Sequence, residues 1–176
     1  MDIKRELIEN RILLVIVPSE NYNNTILETM RALSGKDACY VTLNKTSDSL
    51  KEIFRKKKIP TENILFIDAI SKTIKETPAT SERCYYVSSP AAMTEISIII
   101  NKVLENRFQY ILFDSLTSLL VYESKAPVAK FVSSLTNKIR GTKTRAIFFA
   151  LAVKEQSALI SEAGMFADKV IDLSKE

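Results

Sequence analysis

The chain has 176 residues, 46% of them hydrophobic and 26% charged, with a formal net charge of +4. That is enough chain for one domain, residues 1–176, with a substantial core, and the mild basic excess permits an acidic or nucleic-acid partner without arguing for either. The absence of histidine removes Ser–His and Cys–His catalysis and the commonest metal ligand, and two cysteines, Cys39 and Cys84, are too few for a disulfide framework or a zinc site.

Strand and helix patterns alternate from end to end. A short helix over 2–10 leads into the apolar strand Ile12–Val17, and the segment Pro18-Ser19-Glu20-Asn21-Tyr22-Asn23-Asn24-Thr25 connects it to a helix over 24–34, capped at Gly35. A second strand covers Ala38–Leu43. Ser47 or Asp48 is placed to cap the next helix, whose Leu50, Ile53 and Phe54 face inward. The third strand, Ile64–Ile67, closes on Asp68. Residues 69–84, rich in Ser, Thr, Lys and Glu, read as an exposed, mobile loop. Tyr85-Tyr86-Val87 is a short extended piece, and Ser89-Pro90 starts a helix carrying Met93, Ile96, Ile100, Val103 and Leu104. Strand four, Tyr110–Phe113, ends at Asp114-Ser115. A helix follows Pro127, with Val128, Phe131, Val132, Leu135 and Ile139 on one face. Then come a strand over 146–152, a helix near 155–163 and a last strand over 168–173.

The strands are near-continuous apolar runs rather than alternating ones. Both faces are therefore buried, which predicts a three-layer α/β/α domain around a mainly parallel sheet, with Leu14, Ile16, Leu65, Ile67, Ile111, Phe113, Ile147 and Phe149 in its core. The longest apolar runs are too short to span a membrane and the first residues lack the apolar core of a signal peptide, so the expected location is cytoplasmic.

Three stretches together resemble the RecA-like ATPases, and within them the KaiC-like family common in archaea. Tyr110 to Leu120 looks like the family's Walker B strand, Cys39 to Ser47 like its second strand, and Ala167 to Leu173 like its late strand. The resemblance implies a P-loop-type fold and a nucleotide site at Pro18–Thr25, at Asn44-Lys45 and at Asp114. The departures are chemical. Pro18 and Asn23 stand where the family has glycines, Asn24 where it has lysine, and Asn44-Lys45 where it has an acidic pair. Only Thr25 and Asp114 remain, as a vestigial ATP–magnesium site or as structural groups that cap a turn or bond each other.

The expectation is a non-catalytic, pseudo-ATPase module with no cofactor, acting through a protein partner or as a homo-oligomer. The alternatives are a nucleotide-binding regulator without hydrolysis and a nucleic-acid-associated RecA paralogue. Two basic helix ends are candidate interaction regions: Arg55, Lys56, Lys57 and Lys58, and then Lys138, Arg140, Lys143 and Arg145. Tyr85-Tyr86 beside Arg83 could stack bases or simply pack. Asp68 and Asp172 have no visible metal-ligand partner.

Overall fold

The computed structural model describes residues 2–75 and 82–175. Its strands are β1 (Ile12–Val17), β2 (Ala38–Thr42), β3 (Ile64–Asp68), β4 (Cys84–Tyr86), β5 (Tyr110–Asp114), β6 (Arg145–Leu151) and β7 (Lys169–Asp172). They form one sheet in the order β4-β3-β2-β5-β6-β1-β7, every neighbouring pair parallel. The helices are α1 (Ile3–Glu9), α2 (Tyr22–Ala32), α3 (Ser47–Lys56), α4 (Ser71–Ile74), α5 (Met93–Glu105), α6 (Leu116–Tyr122), α7 (Lys125–Arg140) and α8 (Ser157–Gly164).

The apolar runs are explained by their two destinations. Along β1, Ile12 and Leu14 pack with α5–α8, whereas Leu13, Val15 and Val17 pack with α1–α3. Each strand between two helical layers needs apolar side chains at both parities, so the period-two alternation of a half-exposed strand disappears. Seven of the eight core residues expected from sequence are buried; Ile16, near the end of β1, is half-buried.

Several local expectations are corrected. Thr46 rather than Ser47 or Asp48 caps α3, its hydroxyl accepting from the Ser49 amide at 3.1 Å. The Ser47 amide is taken instead by Asp68. Helix α5 starts at Met93, because Ser89 and Pro90 lie in a turn closed by the Ala92 amide on the Ser89 carbonyl. Helix α6 has no counterpart in the sequence reading, and α7 begins two residues before Pro127, which sits in its first turn where a missing N–H costs nothing. Ser71–Ile74 is a helical turn in the stretch read as a mobile loop; residues 76–81 of that stretch lie outside the described residues. Three glycines suffice partly because Lys58 and Arg107 take the left-handed conformation just past α3 and α5, at φ of 56° and 57°.

Asp68, at the end of β3, anchors two connections. It accepts from the amides of Ser47 (2.7 Å), Ile70 and Ser71 (both 2.8 Å) and from the Ser71 hydroxyl (2.6 Å). Burial alone would raise its pKa, but these four hydrogen bonds outweigh that and hold the carboxyl below the usual range. A carboxyl held below its unfolded value stabilises the fold above about pH 4, and the contribution is lost as pH falls through the folded-state value. Asp68→Asn is expected to cost about 1–3 kcal/mol at pH 7 and to flatten the acid limb of stability, read by urea unfolding at several pH values. An unchanged acid limb would contradict this. Ile111→Ala, on a central strand and fully buried, is expected to cost about 2–5 kcal/mol in the same assay.

Candidate functional site

The carboxyl ends of β1, β2 and β5 bring the positions singled out in the sequence to one edge of the sheet. Helices α1–α3 cover one face and α5–α8 the other. The connections leaving β2 and β5, and those leaving β6 and β1, therefore run to opposite faces, and an open α/β sheet has its natural crevice at such points. Asp114 ends β5 beside the first of these, in register with Thr42 of β2.

Asp114 is only 1% exposed, and among the described residues no cation pairs with it. Its oxygens accept from the Tyr22 and Tyr40 hydroxyls, each at 2.5 Å, and from the Asn44 amide at 2.9 Å. Three neutral donors thus converge on one buried carboxylate, the arrangement such a group needs to be tolerated away from water. The rings that carry the hydroxyls are fixed by aromatic contacts: Tyr22 packs edge-on against Phe149, and Tyr40 lies against Phe54 and Phe66. Burial first, and then the neighbouring Asp114 charge and hydrogen bond, push both phenols well above their ordinary pKa.

Around this centre the other positions are tied down. Ser19–Asn21 form a turn of 3-10 helix that runs into α2, with the Asn21 amide on the Pro18 carbonyl and the Tyr22 amide on the Ser19 carbonyl. Helix α2 therefore starts at Tyr22, earlier than expected, with no side-chain cap from Asn23 or Asn24. The Thr25 hydroxyl donates back to the Asn21 carbonyl at 3.0 Å and does not bond Asp114. Lys45 reaches across from the end of β2, its Nζ donating to Asn23 Oδ1 at 3.3 Å. Ser115 caps α6, accepting from the Ser118 amide, while Thr117 accepts from the Leu151 amide of β6.

Tyr22 and Tyr40 are the residues that sequence reasoning missed. Both were visible as part of the connecting segment and of an aromatic strand, but nothing local marks a hydroxyl whose partner is 92 or 74 residues away. The available signal was Asp114 itself, since an acid closing a fully apolar strand must find donors.

The basic candidates lie at the opposite, amino-terminal edge of the sheet and on opposite faces, because α3 and α7 belong to different layers. Arg55 and Lys56 pair with Glu52, whereas Lys57 and Lys58 are exposed. Arg140 bonds the Phe166 carbonyl and Asp168, at 2.9 and 2.7 Å, and Asp168 also accepts from the amides of Arg11 and Ile12. Lys138 and Lys143 are exposed and Arg145 half-buried. Asp172 binds the amide and hydroxyl of Ser174. Cys39 and Cys84 are buried free thiols. Among the described residues no group of His, Cys, Asp and Glu is arranged to hold a metal, and no helix is long and apolar enough to cross a membrane.

The sequence pattern of DUF7504, a family of unknown function, matches residues 11–173. No curated protein matches the chain. Among solved structures, the KaiC-like protein PH0186 from the hyperthermophilic archaeon Pyrococcus horikoshii OT3 superimposes with a TM-score of 0.66 at 15% identity, over 92% of this chain and 70% of that one. The likeness is one of fold: the parallel α/β architecture is that of a KaiC-like, RecA-type domain.

Tyr22→Phe and Tyr40→Phe each remove a donor from a buried carboxylate, and each is expected to cost about 1.5–3 kcal/mol in urea unfolding. A phenol whose pKa is raised in the fold contributes stability that is complete below about pH 10 and is lost as pH climbs towards the folded value. In an alkaline absorbance titration, Tyr22 and Tyr40 should therefore stay silent until the protein unfolds. Ionisation of Tyr22 or Tyr40 while the protein is still folded would contradict the site.

Proposed function

The chain belongs to DUF7504, and we propose that it is a non-catalytic KaiC-like module that works by association rather than by ATP hydrolysis. The observation that carries this reading is the state of Asp114, whose oxygens are engaged by Tyr22, Tyr40 and Asn44. In a nucleotide site of the type the fold resembles, the acid at this place answers to a metal ion. Here it is met by side chains of its own chain.

The rest of the edge supports the same conclusion. Phosphoryl transfer relies on positioned cations and backbone amides that cradle the phosphates. Between Pro18 and Thr25 there is no glycine and no lysine, and the amides of Asn21 and Tyr22 are turned to the carbonyls of Pro18 and Ser19. Asn44 and Lys45, where the resemblance implies a water-activating acid, donate to Asp114 and Asn23 instead. Removing one well-placed electrostatic group typically costs ~10²–10³ in rate, and this reading removes several. No cofactor is part of it.

For association, the support is exposed apolar surface. Val121 and Tyr122, at the end of α6, are 74% and 50% exposed, and Met165 and Val170, the latter on the edge strand β7, also stand out. Scattered apolar residues are ordinary on a surface, but neighbouring pairs on a domain without a working ligand site favour a homo-oligomer or a protein partner.

Calorimetry with magnesium-ATP is expected to show no binding beyond a very weak site, with no phosphate release above background. Asn24→Lys alone should not change either result, since the amide cradle and the water-activating acid would still be lacking. A micromolar Kd would overturn the proposal. Light scattering should give a mass above the monomer, retained as the Debye length falls below about 10 Å when the contact is apolar and weakened when it runs through the Arg55–Lys58 or Lys138–Arg145 helix ends. A monomer at every salt concentration would remove the homo-oligomer.

A further inference from the structure

The crevice around Asp114 at the carboxyl-terminal edge is closed by side chains, but the amino-terminal edge of the sheet is open. Two cavities open there, of about 630 and 400 Å³, on either side of the carboxyl end of α5. Phe108 lines both, so they form neighbouring parts of one groove. The first reaches the α7–β6 connection at Lys143 and Arg145; the second reaches the start of β4 at Arg83 and Tyr85. Across the sheet, β4 and β6 are four strand spacings apart, roughly 19 Å.

The lining has a definite chemistry. Arg83, Lys102, Arg107, Lys143 and Arg145 contribute five cations, against two carboxylates at Glu82 and Glu105. None of the five cations is in an ion pair among the described residues, whereas Arg55, Lys56, Arg140 and Lys169 are. Interspersed with them are three aromatic rings. Tyr85 is 44% exposed; Phe108 and Tyr110 are half-buried, and Tyr110 is the register partner of Arg145.

From this arrangement we propose that the groove at the foot of the sheet binds a short stretch of single-stranded nucleic acid, with phosphates on the five cations and bases against Tyr85, Phe108 and Tyr110. The span is what selects the ligand. A mononucleotide fills one cavity and leaves the other cations unused, whereas a strand of a few nucleotides runs the full 19 Å or so and meets cation and ring in alternation. An acidic peptide would satisfy the charge but not the aromatic faces. The site lies at the opposite edge from Asp114, so it stands or falls independently of how that edge is read.

The test is fluorescence anisotropy with labelled single-stranded oligonucleotides, one deoxythymidylate and one uridylate, over a salt series. Binding is expected for at least one of them, with log K falling against log salt by about 0.7 per phosphate contacted. The double variant Lys143→Glu/Arg145→Glu should weaken it about tenfold or more, and Tyr85→Ala by a similar factor with little change in salt slope. Lys56→Glu/Lys57→Glu, at the carboxyl end of α3 and outside the lining of both cavities, makes the same change in net charge and should leave affinity nearly unaltered. The proposal is overturned by absence of binding at low salt. Equal loss in both charge-reversal variants, or polyglutamate competing as well as the oligonucleotide, would overturn it too. Circular dichroism on each variant separates loss of binding from loss of fold.

Discussion

Much of the molecule is arranged around one of its buried carboxylates, Asp114. Asp114 closes a strand that is otherwise wholly apolar, and at 1% exposure it cannot be left to water. An uncompensated buried charge costs several kcal/mol, so the fold must supply donors, and it draws them from three places: the first residue of α2, the middle of β2 and the turn after β2. Those requirements constrain much of the chain. Helix α2 must begin at Tyr22 for its hydroxyl to reach, which the 3-10 turn at Ser19–Asn21 accomplishes. Strand β2 must lie beside β5, in the register that sets Thr42 opposite Asp114. The tyrosine rings in turn pack on Phe54, Phe66 and Phe149, so the polar centre and the hydrophobic core are one structure.

Under the proposed function, this coupling explains how a fold could persist with a different use for its site. In the nucleotide-binding arrangement that the fold resembles, the strand ends are held together partly by a ligand. Here the Tyr22, Tyr40 and Asn44 bonds and the Lys45–Asn23 contact span the same crevice from within the chain. A crevice closed by its own side chains gains rigidity and loses room. Under this reading, interactions with other molecules fall to the faces and to the foot of the sheet, where charged and apolar groups remain without partners among the described residues.

Much of the architecture was legible because burial on both faces leaves a plain trace. Ile12–Val17, Ile64–Ile67 and Tyr110–Phe113 are apolar at both parities, and only a covered parallel sheet asks for that. The fold is the KaiC-like one that the motif order implied. Helix α6 was hidden because Leu116–Tyr122 reads equally well as an extension of the strand before it. Cap positions slipped at α3 and α5 because Thr46, Ser47, Ser88 and Ser89 offer several plausible oxygens, and tertiary partners choose among them: Asp68 takes the Ser47 amide, and Glu95 takes Ser88. At the site, Asp114 was identified but given the wrong neighbours. Thr25 satisfies its hydroxyl within its own helix, and the tyrosines that replace it are distant in sequence. The basic helix ends were equally visible, yet only the layers show that they face apart.

The most direct test of this account is a high-resolution crystal structure from crystals grown with a non-hydrolysable ATP analogue and magnesium. The account predicts Tyr22 and Tyr40 within hydrogen-bond distance of Asp114 and no nucleotide at Pro18–Thr25. A magnesium ion on Thr25 and Asp114, with both tyrosines displaced and phosphates over the start of α2, would contradict it.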